Sequence, residues 1–225
     1  LVAARVAAGV SPADVTVATA TDGNHGRSVS WGAQRAGCNA KIYIHAHVSE
    51  ARAAAMREFG ADVIRVDGNY EASLAACKDD ATANGWDIVS DTSWDGYTDI
   101  PLDIMAGYTV MTQEALAQMG SDRPSHAFLP IGVGGLAAAV AAPLWQDMGA
   151  DLCQLISVES NMSRCFYDSI EAGTPTLFDI TEETLMAGLS CGEVSILAWD
   201  ILRPSLSHSM GISDAAVAPL MKWFQ

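Results

Sequence analysis

Short, uninterrupted apolar runs alternate with helix-patterned stretches along most of this 225-residue chain, and no other feature narrows its possible folds as far. Val15–Ala20 is short and rich in β-branched residues, and the stretch His25–Gly37 that follows carries helix periodicity and stops at a glycine. Ala40–Ala46, Ala61–Val66 and Trp86–Ser90 repeat the strand pattern, with helix patterns over Ser49–Gly60 and Tyr70–Gly85 between them. Ile100–Met119 is patterned as a long helix, with Pro101 in the first turn, where proline is tolerated. His126–Ile131 and Cys153–Glu159 add two strands, separated by a helix over Leu136–Met148. Strands that are apolar throughout are buried on both faces, and helices of this length between them imply parallel pairing. The expected fold class is therefore α/β, with open, mostly parallel sheets and flanking helices. Beyond Met162 the pattern turns mostly helical, and no repeat, low-complexity tract or linker interrupts the chain.

Composition narrows the partners. With 27 acidic against 12 basic residues the formal charge is −15, a field that repels nucleic acid and anionic membranes. No apolar run approaches the roughly 20 residues of a membrane span. Arg5 interrupts the apolar start and no basic leader precedes it, so the expectation is a soluble, unexported, cytoplasmic protein. Five cysteines, Cys38, Cys77, Cys153, Cys165 and Cys191, show no CxxC spacing. Buried thiols are the expectation, with a single bridge such as Cys165 to Cys191 as the alternative and no metal site.

Ligands of open α/β sheets bind at the carboxyl ends of strands. Three polar turns stand at such ends: Thr21–Arg27, Asp91–Asp99 and Gly132–Leu136. In the last, Gly132, Gly134 and Gly135 let the backbone approach a ligand while the following helix offers free N–H groups, a cradle suited to phosphate. The same glycines also serve tight strand–helix packing. Gly132–Ala137 further fits a GxGxxA dinucleotide fingerprint, with Glu159 at the distance of a ribose-binding acid, which suggests NAD. The first turn carries more side-chain chemistry. Gly23 permits a sharp turn and Asn24 offers an amide for a ring oxygen or a helix cap. His25 at a helix start is ordinarily structural.

The run Thr21-Asp-Gly-Asn-His-Gly26 resembles the Ser-x-Gly-Asn-His-Gly element of pyridoxal-phosphate enzymes of the tryptophan-synthase-β type. In that family the Asn approaches the cofactor's 3′-oxygen and a later glycine loop holds its phosphate, in the order found here. The segments ATATDGNHGRSVSWGAQRAG, SDTSWDGYTDIP with IMAGYTVM, and LMAGLSCGEVSILAWDILR together resemble the diaminopropionate ammonia-lyases, from about Val17 onward. Asp22, where related enzymes carry other residues, belongs to that resemblance. It implies residues 1–225 as the central portion of a fold type II enzyme, with a smaller subdomain over about 22–115 and the remainder in the larger domain. The implied reaction is α,β-elimination of ammonia from 2,3-diaminopropionate, giving pyruvate and ammonia, by a homodimeric carbon–nitrogen lyase acting on a small amino acid.

The implied site has Asp22 as the α-proton base for one substrate enantiomer and Asp91 as holder of the leaving amine or support for proton transfer. Gly23, Asn24, Gly132, Val133, Gly134, Gly135 and Leu136 bind pyridoxal 5′-phosphate. Trp94, Asp95 and Tyr97 shape the same pocket. The family also requires a lysine that opens a helix upstream of the Gly-Asn-His turn. Lys41, Lys78 and Lys222 do not match that context, and a serine-glycine-rich element expected after the last residue is missing too, so the expectation is a portion of a longer protein. Three rivals remain open: a serine or threonine dehydratase-like deaminase on the same fold, an NAD-dependent dehydrogenase, and an inactive scaffold without the lysine.

Overall fold

A computed structural model describes residues 1–149 and 153–224. The chain divides into two compact units, Leu1–Ser90 and Asp91–Gln225.

The first unit opens with a short helix α1 (Val2–Ala7), then alternates β1 (Thr16–Ala20), α2 (Asn24–Ala36), β2 (Asn39–His45), α3 (Glu50–Arg57), β3 (Asp62–Val66), α4 (Tyr70–Asn84) and β4 (Asp87–Ile88). Its sheet has the order β3-β2-β1-β4, all parallel, with Ala20 opposite Tyr43 at the carboxyl end of the central pair. Alternate residues of β1 and β2 feed two different cores. Val17, Ile42 and Ile44 pack with Ala33, Ala53 and Met56 on the side of α2 and α3. Ala18, Ala20 and Tyr43 pack with Cys77 and Ala81 of α4. Burial on both faces is why these strands read as continuous apolar runs.

Local signals set the helix ends. The Ser49 hydroxyl accepts the Arg52 amide (3.4 Å) and the Asn69 side chain accepts the Ala72 amide (3.1 Å), while Gly37 and Gly85 terminate α2 and α4 in the left-handed conformation.

The second unit runs α5 (Asp99–Met119), β5 (His126–Pro130), α6 (Gly135–Met148), β6 (Gln154–Ser160), α7 (Cys165–Ala172), α8 (Ile196–Leu202), β7 (His208–Ile212) and α9 (Val217–Trp223). Its parallel sheet has the order β5-β6-β7. Leu129, Ile131, Leu155, Leu144, Phe166 and Trp199 share one core with the buried face of α6. The mostly parallel α/β class therefore stands. Two details differ from the sequence expectation. The strand expected over Trp86–Ser90 shrinks to two residues, although the Val89 amide still donates to the Ala18 carbonyl (2.8 Å). Beyond Met162 a strand appears among short helices, because β6 supplies a partner for His208–Ile212, whose own residues have little strand preference.

Candidate active site

The turn after β1 is organised by Thr21, whose buried hydroxyl accepts the amides of Gly23 (3.0 Å) and Gly26 (3.1 Å). These are two of the donors that a helix N-terminus leaves without intrahelical partners. A Cβ on Gly26 would lie 2.3 Å from the Thr21 methyl and 3.0 Å from Ile42, so only glycine lets α2 settle this closely on the sheet. The turn presents Asp22 with its main-chain carbonyl held by Arg52 Nη1 (3.1 Å) and its carboxylate Oδ1 3.0 Å from His45 Nε2. Asn24 is the first residue of α2; it is exposed and lines a surface cavity of about 560 Å³ with Arg27, Ser28, Trp31 and Phe59. His25 Nε2 donates to the Val89 carbonyl (2.8 Å), tying the helix start to the strand edge as a structural histidine does. In this unit the structure brings together Asp22, Gly23 and Asn24.

In the second unit Asp91 and the glycine turn belong together. The Asp91 carbonyl lies 3.6 Å from where a Gly135 Cβ would stand. The Tyr108 phenol is pushed above its ordinary pKa, first by burial and then by the charge of Asp91. Downstream of Asp91, Ser93 is locked in place. Its amide donates to the Ser195 hydroxyl (3.1 Å), its hydroxyl accepts the Leu197 amide (2.9 Å), and the two hydroxyls are 2.6 Å apart in the interior. Trp94 and Tyr97 stack on each other at 4.2 Å, closing a tight turn through Asp95 and Gly96.

The glycine turn is shaped by exclusion. Gly134 has φ +101°, and a Cβ there would meet Ala198 at 2.8 Å; one on Gly132 would meet Cys191 Sγ at 3.0 Å. Gly135 has only ordinary contacts around its Cβ position. The 14-residue α6 begins here with no side-chain cap and no acid in its first turn. Its opening amides are therefore neither blocked by a carboxylate nor screened by a side chain, and they fit a phosphate dianion together with the backbone of Val133 and Leu136.

Glu159 settles the dinucleotide alternative. It is fully buried, and its two oxygens accept the amides of Phe166 (2.8 Å) and Tyr167 (2.7 Å) at the start of α7. Burial pushes its pKa up to about 7 against the pull of those two amides. A carboxylate spent on capping a helix in the interior does not reach a ribose, so the NAD reading loses its acid. The Cys165 thiol donates to the Gly132 carbonyl (3.8 Å), and burial raises its pKa; it is a thiol here, not half of a bridge to Cys191. Lys41 pairs with Asp62 (2.8 Å), while Lys78 and Lys222 lie on α4 and α9. His45 and Arg52, and the capping role of Thr21, escaped sequence reasoning. A rule that examined the carboxyl end of every strand, not only the glycine-bearing turns, finds His45.

A family model described as pyridoxal-phosphate dependent enzyme matches residues 2–225. The chain is 38% identical over 206 residues to diaminopropionate ammonia-lyase of Escherichia coli K12, covering 91% of this chain and 52% of that protein. It is 36% identical to the Salmonella typhimurium enzyme of the same name, covering 93% and 53%. A crystal structure of the Escherichia coli enzyme in complex with D-serine superimposes with a TM-score of 0.83 at 37% identity, over 89% of this chain and 50% of that one. The chain thus spans about half the length of the curated relatives it matches.

Proposed function

The chain belongs to the pyridoxal-phosphate dependent enzymes, and within them we propose that it is the central portion of a lyase that eliminates ammonia from 2,3-diaminopropionate, giving pyruvate and ammonia. The observation that carries this reading is the acid in the first turn. Asp22 stands at the head of a helix beside Gly23 and Asn24, its carbonyl held by Arg52 and its carboxylate 3.0 Å from His45 Nε2, in a chain 38% identical to a protein of that activity.

When bound, pyridoxal phosphate supplies an electron sink for charge developing at the substrate α-carbon. The residues that would hold it are the amides of Val133, Gly134, Gly135 and Leu136 with the positive end of α6, beside Gly132, and, on the family resemblance, the Gly23–Asn24 turn with its side-chain amide. Asp22 takes the α-proton of one enantiomer. Asp91 holds the second ammonium of the substrate, the charge that distinguishes a diamino acid from serine or threonine. The family's lysine is not among Lys41, Lys78 and Lys222 in this reading. On the family resemblance we also read the protein as a cytoplasmic homodimer, with the smaller subdomain over about 22–115. Among the described residues no helix is long and apolar enough to cross a membrane.

The test is Asp22→Asn in the full-length protein, assayed separately on the D and L substrates. Loss of a positioned base lowers turnover on one enantiomer by about 10²-fold or more, with only a few-fold change on the other. Equal losses on both remove Asp22 from the role of stereospecific base. Faster turnover of serine or threonine than of diaminopropionate in the wild-type protein overturns the substrate assignment.

A further inference from the structure

Helix α8 is capped from a distant part of the chain. Ser195 occupies its N-cap position, yet the Ser195 hydroxyl bonds to none of the helix's own amides. It accepts instead the main-chain amide of Ser93 (3.1 Å), 102 positions earlier. The Ser93 hydroxyl does the capping, accepting the Leu197 amide at 2.9 Å, and the Ser93 carbonyl accepts the Ile196 amide at 3.4 Å. The two hydroxyls are 2.6 Å apart, with either as donor. Both serines are buried. Hydrogen bonds are costly to leave unmade at that depth, so the arrangement is held closed.

The same end of α8 grips the glycine turn. The Ser195 amide donates to the Val133 carbonyl (2.9 Å), and one helical turn on, Ala198 fills the space in front of Gly134. Asp91 lies two residues before Ser93, a reach of at most about 7 Å of extended chain. Its carbonyl packs 3.6 Å from the Cβ position of Gly135. One helix start is therefore the common reference for the Asp91 segment and for the backbone that fits a phosphate. An acid that holds the second ammonium of a substrate has to stand at a fixed distance from the turn that holds the cofactor.

Resting on the reading of Asp91 as holder of that ammonium, we propose that Ser93 and Ser195 form a clasp that positions Asp91 against the glycine turn and so sets the preference for a diamino acid. Neither serine touches substrate or moves a proton in this role; both are positioning residues. Free alanine has the same α-amine and carboxylate but no second ammonium, so its binding does not depend on where Asp91 stands.

Full-length holoenzyme carrying Ser93→Ala, Ser195→Ala, both together, or Asp91→Asn tests this. Ser195→Ala lowers kcat/KM on diaminopropionate about tenfold and leaves the inhibition constant of alanine within about twofold. Ser93→Ala, which keeps the main-chain bond to Ser195, is the milder variant and shifts the same ratio in the same direction. The double variant is no worse than Ser195→Ala, and in an Asp91→Asn background Ser195→Ala costs nothing further. Independently of turnover, hydrogen exchange of the wild-type protein shows the Ser93 and Leu197 amides protected; Ser195→Ala releases Ser93. The proposal is overturned by an equal loss of alanine binding, by losses that multiply in the double variant or persist in the Asp91→Asn background, or by fast exchange of both amides in wild type. If Asp91→Asn lowers diaminopropionate turnover and spares alanine while the serine variants behave as wild type, the clasp alone is dismissed. If Asp91→Asn does not discriminate between the two ligands, the reading of Asp91 falls and takes this role with it.

Discussion

The turn Thr21–Arg27 and the turn Gly132–Leu136 hold the same station in their respective units: each follows a parallel strand and opens a helix. They are built in opposite ways. The first is dense with side chains, and several are held: Thr21 on two amides and His25 on the Val89 carbonyl, with the Asp22 carboxylate 3.0 Å from His45 Nε2. The second is stripped to backbone, and its packing forbids side chains at Gly132 and Gly134 while its helix begins uncapped. The one turn offers side-chain groups, the other N–H groups and room.

The strongest way to break this contrast is to add one methyl group to the backbone turn. Gly134→Ala combines a positive φ with a 2.8 Å approach to Ala198, so about 3–4 kcal/mol of stability should be lost in denaturant unfolding. Gly135→Ala, with only ordinary contacts, should change stability by less than about 1 kcal/mol yet weaken retention of pyridoxal phosphate, read from its absorbance after dialysis. Equal destabilisation by the two would mean that packing does not distinguish these glycines.

Glu159 sharpens the contrast from a third strand end, where the acid is turned inward to cap α7. Its folded pKa, about 7, lies above the ordinary glutamate value, so the folded state retains a proton that the unfolded state releases. Its favourable contribution is full below about pH 4.5 and is lost as pH rises through 7, a change on the order of 3 kcal/mol. Unfolding free energies measured across that window should show the decline in wild type and lack Glu159's share of it in Glu159→Gln. An unchanged slope in the variant would show that Glu159 ionises normally. A smaller effect than that of Gly134→Ala or of Glu159 belongs to Thr21→Val, which keeps the shape but removes the acceptor of two amides. A loss of about 1–2 kcal/mol is expected, and no loss would mean that water replaces the hydroxyl.

Much of this was legible in advance where the signal was local. Apolar runs located six of the seven described strands, and Ser49 and Gly37 marked helix ends before any coordinates. The Asp-Gly-Asn and glycine turns stood out because turns and helix starts select their residues within a few positions. The strand His208–Ile212 did not, since serine, glycine and histidine take up strand conformation there only because β6 lies alongside. Glu159 looked like a ligand-binding acid because the pattern around it is the same whether the carboxylate faces solvent or the start of α7.

By itself, the sequence determined the α/β class, the positions of the polar turns at strand ends, and the pairing of an acid with an amide in one turn. All of these depend on neighbours a few residues apart, where periodicity and turn chemistry act. Tertiary structure decided which acids stay partly open to solvent and which are consumed by folding. Asp22 and His45 are 23 positions apart and meet only because β1 and β2 pair in parallel register, while Glu159 is withdrawn from any ligand by a helix that starts after it. Neighbours at that separation are chosen by the sheet, and a linear pattern carries no record of them.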